Sequence, residues 1–273
     1  MELNLVKRNG GAETSEAMEQ PRELSDKLEI YALAGLPEIV SGAPLATLLS
    51  DAVSRSGLEL SDGDVLVVAQ KVVSKAEGRL VELRTVEPTS FACSLAQNLR
   101  KDPRHVEVIL RESKRIVRMD GGLLIAETRH GFVCANAGVD TSNVPPGWVS
   151  LLPRDPDASA RKLREALADR TGRQVAVIIS DTFGRPWREG LTNVAIGVAG
   201  LIPSIDYRGQ ADAHGNVLAA TVIAAADELA AAAELVMGKI SRRPAALIRH
   251  YRWQAGPGKA TDLIRPREKD LFR

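Results

Sequence analysis

Apolar and polar positions along the 273-residue chain follow two periods. Runs of β-branched residues bounded by turn formers read as buried strands, and apolar residues three and four apart read as helix faces. The spacing predicts a strand at 29–34 (EIYALA), ending at Gly35, Leu36 and Pro37, and a helix over 44–56 opened by Pro44. Residues 62–74 (DGDVLVVAQKVVS) read as a turn followed by a β-branched strand that runs into Lys75, Ala76, Glu77 and Gly78. Two short helices are expected over 89–100 and 104–113, parted by Asp102 and Pro103, then three short strands with turns at 120–122 and 130–131. Residues 155–172 carry the clearest helix boundaries, with Asp157 or Ser159 near the start and Gly172 beyond the end. A strand at 174–180, a stretch punctuated by Gly190, Gly197 and Gly200, a long helix over 217–236 and a last strand at 244–251 complete the pattern. Residues 1–28 are charged and weakly periodic, the mark of a flexible extension, so 29–273 is the folded part, as one domain or two intimately packed α+β subdomains.

Strands and helices mix without a strict βαβ rhythm. The chain has no G-x-x-x-x-G-K-[ST] and no G-x-G-x-x-G after its first strand, so a mixed α+β architecture is expected in place of a doubly wound nucleotide fold. A hydrophobic content of 44% with 26% charged residues is that of a soluble globular protein. Net charge is +1, which gives no reason to expect a nucleic-acid or membrane-surface partner. Cys93 and Cys134 are far apart, without metal-ligand spacing, and fit buried thiols in a reducing compartment. The first thirty residues lack the apolar core of a signal peptide, and Asp227, Glu228 and Glu234 interrupt the Ala-rich run at 217–237, so the reading is cytoplasmic.

Two apolar runs end on unusual chemistry. In VAVIISDTFGRPWREG (175–190) the strand meets Asp181, Thr182, Gly184, Arg185 and Arg188; in HGFVCANAGVDTSNVPPG (130–147) it turns through Asn136 and Gly138 to Asp140, Thr141, Ser142 and Asn143. Oxygen-rich groups of this kind suit a hard divalent cation, which binds through one or two carboxylates plus substrate phosphates. Asp140 and Asp181 form the natural pair, with Thr182 adding oxygen, and Arg185, Arg188 and Lys75 supply cations for phosphate or carboxylate. The plainer readings stand beside these: an Asp after a strand also serves as a turn former or helix cap, Lys75 as a solvated charge, and His130 and His214 as surface loop histidines. His105 and His250 carry no pattern.

Taken in order, GLPEIVSG, GDVLVVAQKVVSKAEGR, CANAGVDTSNVPPG, ISDTFGRPWREGLTNVAIGVAG, ADELAAAAELVMGK and LIRPREKDLFR resemble the coenzyme F420-0:L-glutamate ligase family over residues 29–273. The resemblance implies a mixed α+β fold in an intertwined homodimer. It implies an enzyme that uses GTP and one or two Mg²⁺ or Mn²⁺ ions, with room for a monovalent cation, to join L-glutamate to coenzyme F420-0 through an acyl phosphate. It places metal carboxylates at Asp140 and Asp181, a ligand of a second metal at Thr182, and nucleotide contacts at Asn143, at Leu36, Pro37, Glu38 and Ile39, at Gln70 and Lys75, and along Met237, Gly238, Lys239, Ile240, Ser241, Arg242 and Arg243.

The last of these segments departs from the family pattern. Relatives carry a glutamate that helps hold the second metal where this chain has Lys239, and no glycine follows Gly238. A protonated lysine neutralises phosphate but does not ligate a cation, which puts the second metal in question; Lys239 is equally well read as a charge at a helix C-terminus. Arg188, and with it Arg185, is a candidate for the coenzyme phosphate or the glutamate carboxylates, with salt bridges that pin the loop as the alternative. Two other functions stay open at this point: an amide ligase for a different phosphorylated carboxylate, and a non-catalytic deazaflavin- or nucleotide-binding protein.

Overall fold

The first strand in the chain and the last lie side by side, and between them and the rest a five-stranded sheet is built largely from late sequence. A computed structural model describes residues 26–271, so the N-terminal extension expected over 1–28 lies almost wholly outside the described residues. In chain order the elements are β1 (Glu29–Ala32), α1 (Leu45–Arg55), β2 (Val65–Ala69), α2 (Gln70–Ala76), β3 (Leu80–Glu82), α3 (Ser90–Leu99), α4 (Pro103–Glu112) and β4 (Ser113–Asp120). They continue with β5 (Leu123–Thr128), β6 (Val133–Ala135), β7 (Trp148–Ser150), α5 (Pro156–Thr171), β8 (Ala176–Arg185), β9 (Arg188–Ala199), β10 (Ile205–Asp206), β11 (Val222–Ile223), α6 (Ala225–Met237) and β12 (Ala245–Arg249).

The main sheet has the order β1-β12-β2-β8-β9; only β2 and β8 run parallel. Val65, Leu66, Val67 and Val68 of β2 are fully buried, as are Ala176 to Ile179 of β8, which explains why both read as unbroken apolar runs: a central strand is covered on both faces. Helix α5 packs against β8 and β9, and α6 against β9, β1 and β12. At Gly197 a Cβ would lie 2.4 Å from the Pro156 carbonyl oxygen, so only glycine lets α5 approach β9 this closely. A second core gathers Leu95, Val106, Ile109, Leu124, Val139 and Val149 under α3, α4 and the sheet β4-β5-β6. The expected mixed α+β class is what the chain adopts.

Several boundaries differ from those the pattern predicts. The strand expected through residue 74 stops at Ala69, and Gln70–Ala76 is helical. Strand β8 does not end before Asp181 but runs on to Arg185, and β9 passes through Gly190 and Gly197 without a break. Pairing decides this: Asp181, Thr182 and Phe183 face Val194, Asn193 and Thr192 across a hairpin. The N-cap of α5 is Asp155, whose side chain accepts from Ala158 N at 2.9 Å with Pro156 as first helical residue, in place of Asp157 or Ser159. Asp157 is buried instead, accepting from the backbone N–H groups of Val198 and Ala260, both at 2.8 Å. Helix α6 starts at Ala225, eight residues later than expected, because 217–224 is not helical and its Val222 and Ile223 pair as β11 with Asp206 and Ile205. Among the described residues no helix is long and apolar enough to cross a membrane.

Candidate active site

Asp140 enters from the second core, one residue past buried Val139, where a two-way backbone bridge to Ser150 fixes it. Its carboxylate accepts from Ser142 N at 2.7 Å and Ser142 Oγ at 3.0 Å, and Lys71 Nζ sits 2.6 Å from Oδ2. Burial works to raise this carboxyl, but the Lys71 and Ser142 hydrogen bonds and the Lys71 charge outweigh it and hold the group below its ordinary value.

Asp181 enters from the first core on β8. A strand alternates its faces, so Thr182 and Asp181 point to opposite sides. Thr182 Oγ1 donates to Asn193 Oδ1 at 2.7 Å, and Asn193 Nδ2 donates to Glu234 Oε2 of α6 at 3.1 Å. Asp181 therefore takes the other face, toward Cys134 and Asp140. Burial pushes its carboxyl up to about 6; the Asp140 charge adds to the rise, against the Thr182 backbone hydrogen bond and the Lys71 and Lys239 charges. The same surroundings push the Cys134 thiol up to about 12, first by burial and then by the Asp181 charge. That thiol is a packing group, as the sequence suggests; Cys93 is only half-buried.

Lys239 leaves the C-terminal end of α6 and donates its ammonium to Thr182 Oγ1, with Glu234 Oε1 at 3.4 Å. The charge thus sits between a hydroxyl and a carboxylate beside Asp181, and is more than a helix-end cation. Met237 is buried at the close of α6, and 238–243 form an exposed loop with Gly238 at φ 61° and Arg242 at φ 55°, held at its root by Ser241 Oγ donating to Met237 O. Lys75 is 12% exposed and paired with Glu38, so it is not a solvated charge; the pair ties the 36–39 turn, whose Ile39 is core, to α2. Gln70 is buried as a whole, at 2% exposure, and its side chain accepts from Ser74 Oγ at 2.8 Å. Asn143 stands exposed in a left-handed turn at φ 56°. Arg185 and Arg188 pair at the closed end of the β8–β9 hairpin; Arg188 is exposed there, and Arg185 donates to Glu189 O at 3.1 Å. The structure does not bring Arg188 to the two aspartates.

Lys71 is the main residue that pattern reading missed. With α2 recognised as a helix, Lys71 and Lys75 are four apart and fall on one face. Glu234, Asn193 and His105 were missed as well. The His105 imidazole is kept below its ordinary value by burial and by Lys101, against the Asp102 and Asp140 charges, and its Nε2 is buried without a partner among the described residues.

The donor set fits one hard cation. Two carboxylates from different cores share one neighbourhood, and Asp181 is held there at a desolvation cost that a divalent ion would relieve. No group of three or more His, Cys, Asp or Glu side chains is gathered for a metal among the described residues, and the position between Thr182 and Glu234 is met by the Lys239 ammonium.

A family profile described as F420-0:Gamma-glutamyl ligase matches residues 35–250. The chain is 48% identical over 249 residues, 90% of its own length and 99% of the relative's, to the coenzyme F420:L-glutamate ligase of Methanothermobacter thermautotrophicus. It is 49% identical over 237 residues to that of Methanopyrus kandleri, covering 85% and 92% of the two chains, and 43% identical over 248 residues to that of Methanocaldococcus jannaschii, covering 90% and 97%.

Proposed function

Because the chain belongs to the F420-0:gamma-glutamyl ligase family and is an enzyme of that ligase type, we propose that it joins the amino group of L-glutamate to the carboxylate of the coenzyme F420 precursor at the expense of GTP. A carboxylate is a poor electrophile until one oxygen becomes a leaving group. In this reading a carboxylate oxygen of the coenzyme attacks the γ-phosphorus of GTP, the bond to the β–γ bridging oxygen breaks, and GDP leaves. The amine of glutamate then attacks the acyl carbon, phosphate departs with the acyl oxygen, and the amine proton passes to solvent or phosphate. Such a path asks the protein for alignment and charge stabilisation more than for covalent chemistry.

The observation that carries the proposal is the meeting of Asp140 and Asp181 from two cores around the Lys71 ammonium, with Lys239 on the neighbouring face. Asp140 and Asp181 would hold one Mg²⁺ or Mn²⁺, which when bound would neutralise phosphate charge during transfer. Lys71 and Lys239 hold fixed positive charge beside the same place, and Lys75, pinned by Glu38, sits one helical turn from Lys71. The 36–39 turn, Gln70, Asn143 and the 237–243 loop would contact the nucleotide, Thr182 serves through its link to Lys239, and Arg188 would reach an anionic substrate from the hairpin tip. A homodimer acting in the cytoplasm completes the proposal.

The test is mass spectrometry of the glutamate-free coenzyme incubated with the protein, L-glutamate, GTP and Mg²⁺ or Mn²⁺, beside Asp181→Asn. Products heavier by successive glutamyl units, absent with the variant, are expected. A second reading, a ligase for another phosphorylated carboxylate, draws on Lys239 standing in a charged network at the position where the family resemblance implies a glutamate. No mass gain with this coenzyme, but nucleotide turnover with a related one, would favour it.

A further inference from the structure

Beyond the aspartates, on the same side of the main sheet, a cavity of about 320 Å³ opens between the start of α5, the His130–Phe132 turn and the chain at Lys259. Its link to the candidate active site is aromatic. Phe183, two residues past Asp181 and so on the same face of β8, packs edge-on against Phe132 with ring centroids 6.3 Å apart, and Phe132 forms part of the cavity wall. Two strand residues span roughly 7 Å, so the cavity begins within small-molecule reach of Asp181.

Its charges are unbalanced in an informative way. The acidic side chains are already committed: Asp155 caps α5, and Asp157 accepts two backbone N–H groups. The cations are not. Arg154, Arg161 and Lys259 all line the cavity, and none of their side chains forms an ion pair among the described residues. Many other arginines do pair, Arg79 with Glu112 and Arg115 with Glu127 among them. His130 spends Nε2 on the Arg154 carbonyl at 3.0 Å, while its Nδ1 is buried with no partner. Three uncommitted cations and an unsatisfied imidazole nitrogen around one hollow describe a receptor for a compact polyanion.

We infer that this cavity is the subsite for the incoming amino acid, holding the two carboxylates of L-glutamate on Arg154, Arg161 and Lys259. The inference rests on the ligase reading above and deepens it. In that reaction neither carboxylate of the incoming glutamate is consumed. Clamping both leaves the amine as the free end, directed past Phe132 and Phe183 toward the activated carboxyl near Asp181. It also gives a reason for preferring a dicarboxylate over a neutral amino acid.

The experiment is isothermal titration of L-glutamate into the full chain, as wild type, Arg161→Gln and Lys259→Gln, with circular dichroism to confirm folding. Both side chains are exposed and form no ion pair among the described residues, so both variants should fold. Wild type is expected to bind, and each variant to bind about tenfold or more weakly, the loss of one charge-assisted contact. L-glutamine, with one carboxylate fewer, should bind wild type more weakly than glutamate does. No binding by wild type, or unchanged affinity in both folded variants, overturns the subsite. In steady-state assays the KM for L-glutamate should rise while that for the coenzyme holds; a rise confined to the coenzyme would assign the cavity to its phosphate instead and overturn the inference. Glutamate binding that the variants lose, with no glutamyl product under any condition, would remove the proposed reaction and leave the pocket standing.

Discussion

The ammonium of Lys71 lies 2.6 Å from Asp140 Oδ2, and its charge also bears on Asp181, so one side chain answers two carboxylates that arrive from separate cores. Lys71→Met keeps the length of the side chain and removes that charge. Catalytic efficiency for glutamyl transfer is expected to fall about tenfold or more, as for loss of one preorganised charge in a phosphoryl-transfer site. Initial rates of product formation check this; an unchanged rate would make Lys71 merely structural.

Asp181 makes a prediction about stability as well as turnover. Its folded-state carboxyl titrates near 6, above the ordinary aspartate value of about 3.9. The folded state therefore holds a proton more tightly than the unfolded one, so this group favours folding in acid, and that contribution is lost as pH rises through about 6. In chelator-treated protein, Asp181→Asn should raise the melting temperature at pH 7–8, and the gain should vanish below about pH 4, where both states are protonated. The same variant should lose glutamyl transfer by about a hundredfold or more. A lower melting temperature at pH 8 would refute the account of Asp181 as a desolvated charge.

Lys239 places an ammonium between Thr182 and Glu234. With a GTP analogue that resists hydrolysis, Mn²⁺ titration followed by electron paramagnetic resonance should give one tightly held ion per wild-type chain. Lys239→Glu exchanges the cation for a carboxylate and should take up a second. Two ions in the wild type would show that Lys239 swings away when substrate binds.

Glu107 tests the packing of the second core. It is 6% exposed and accepts from Thr89 N at 3.0 Å, Thr89 Oγ1 at 2.8 Å and Arg111 Nε at 2.9 Å, tying the start of α3 to α4. The Thr89 backbone hydrogen bond leads the effects that hold its carboxyl below the ordinary value, against burial. Its stabilisation is accordingly full above the unfolded glutamate value of about 4.3 and lost as pH falls through the lower folded value. Glu107→Gln should cost about 2 kcal/mol in urea melts at pH 7, with the difference shrinking below pH 4.

Gly197→Ala would bring a methyl group to 2.4 Å from the Pro156 carbonyl oxygen and push α5 off β9. A loss of about 3 kcal/mol or more is expected in the same melts. Because Pro156 and Asp157 wall the cavity with the uncommitted cations, glutamate affinity should fall with it.

What the sequence made legible follows from which signals are local. The buried strands β2 and β8, the helix over 156–171 and the carboxylates Asp140 and Asp181 are written in contiguous residues. Lys71 was hidden because Val72 and Val73 extend a β-branched run: their propensity favours strand, whereas the packing of both into the core as α2 favours helix, and packing decides. The hairpin of β8 and β9 was hidden in the same way, since its pairing partner supplies what Asp181, Thr182 and Gly184 lack in intrinsic preference. The Lys239 departure was visible, but its contact with Thr182, 57 positions earlier, was not. The cavity cations at 154, 161 and 259 carry no spacing that a linear reading could detect.

The place of β2 in the sheet has a consequence for synthesis. Its four fully buried residues, Val65 to Val68, pair on one side with β8 and on the other with β12, so both neighbours lie more than a hundred positions downstream. While the chain emerges, this strand must wait with both edges open, a short, uncharged, β-branched segment of the kind that associates between chains. The closing partner, β12, arrives more than 170 residues after β2 has been made. Expression should therefore improve at low temperature or with added chaperone, and charge near the waiting strand, such as Asp62 and Asp64 just before it, would act as its gatekeeper until the sheet closes.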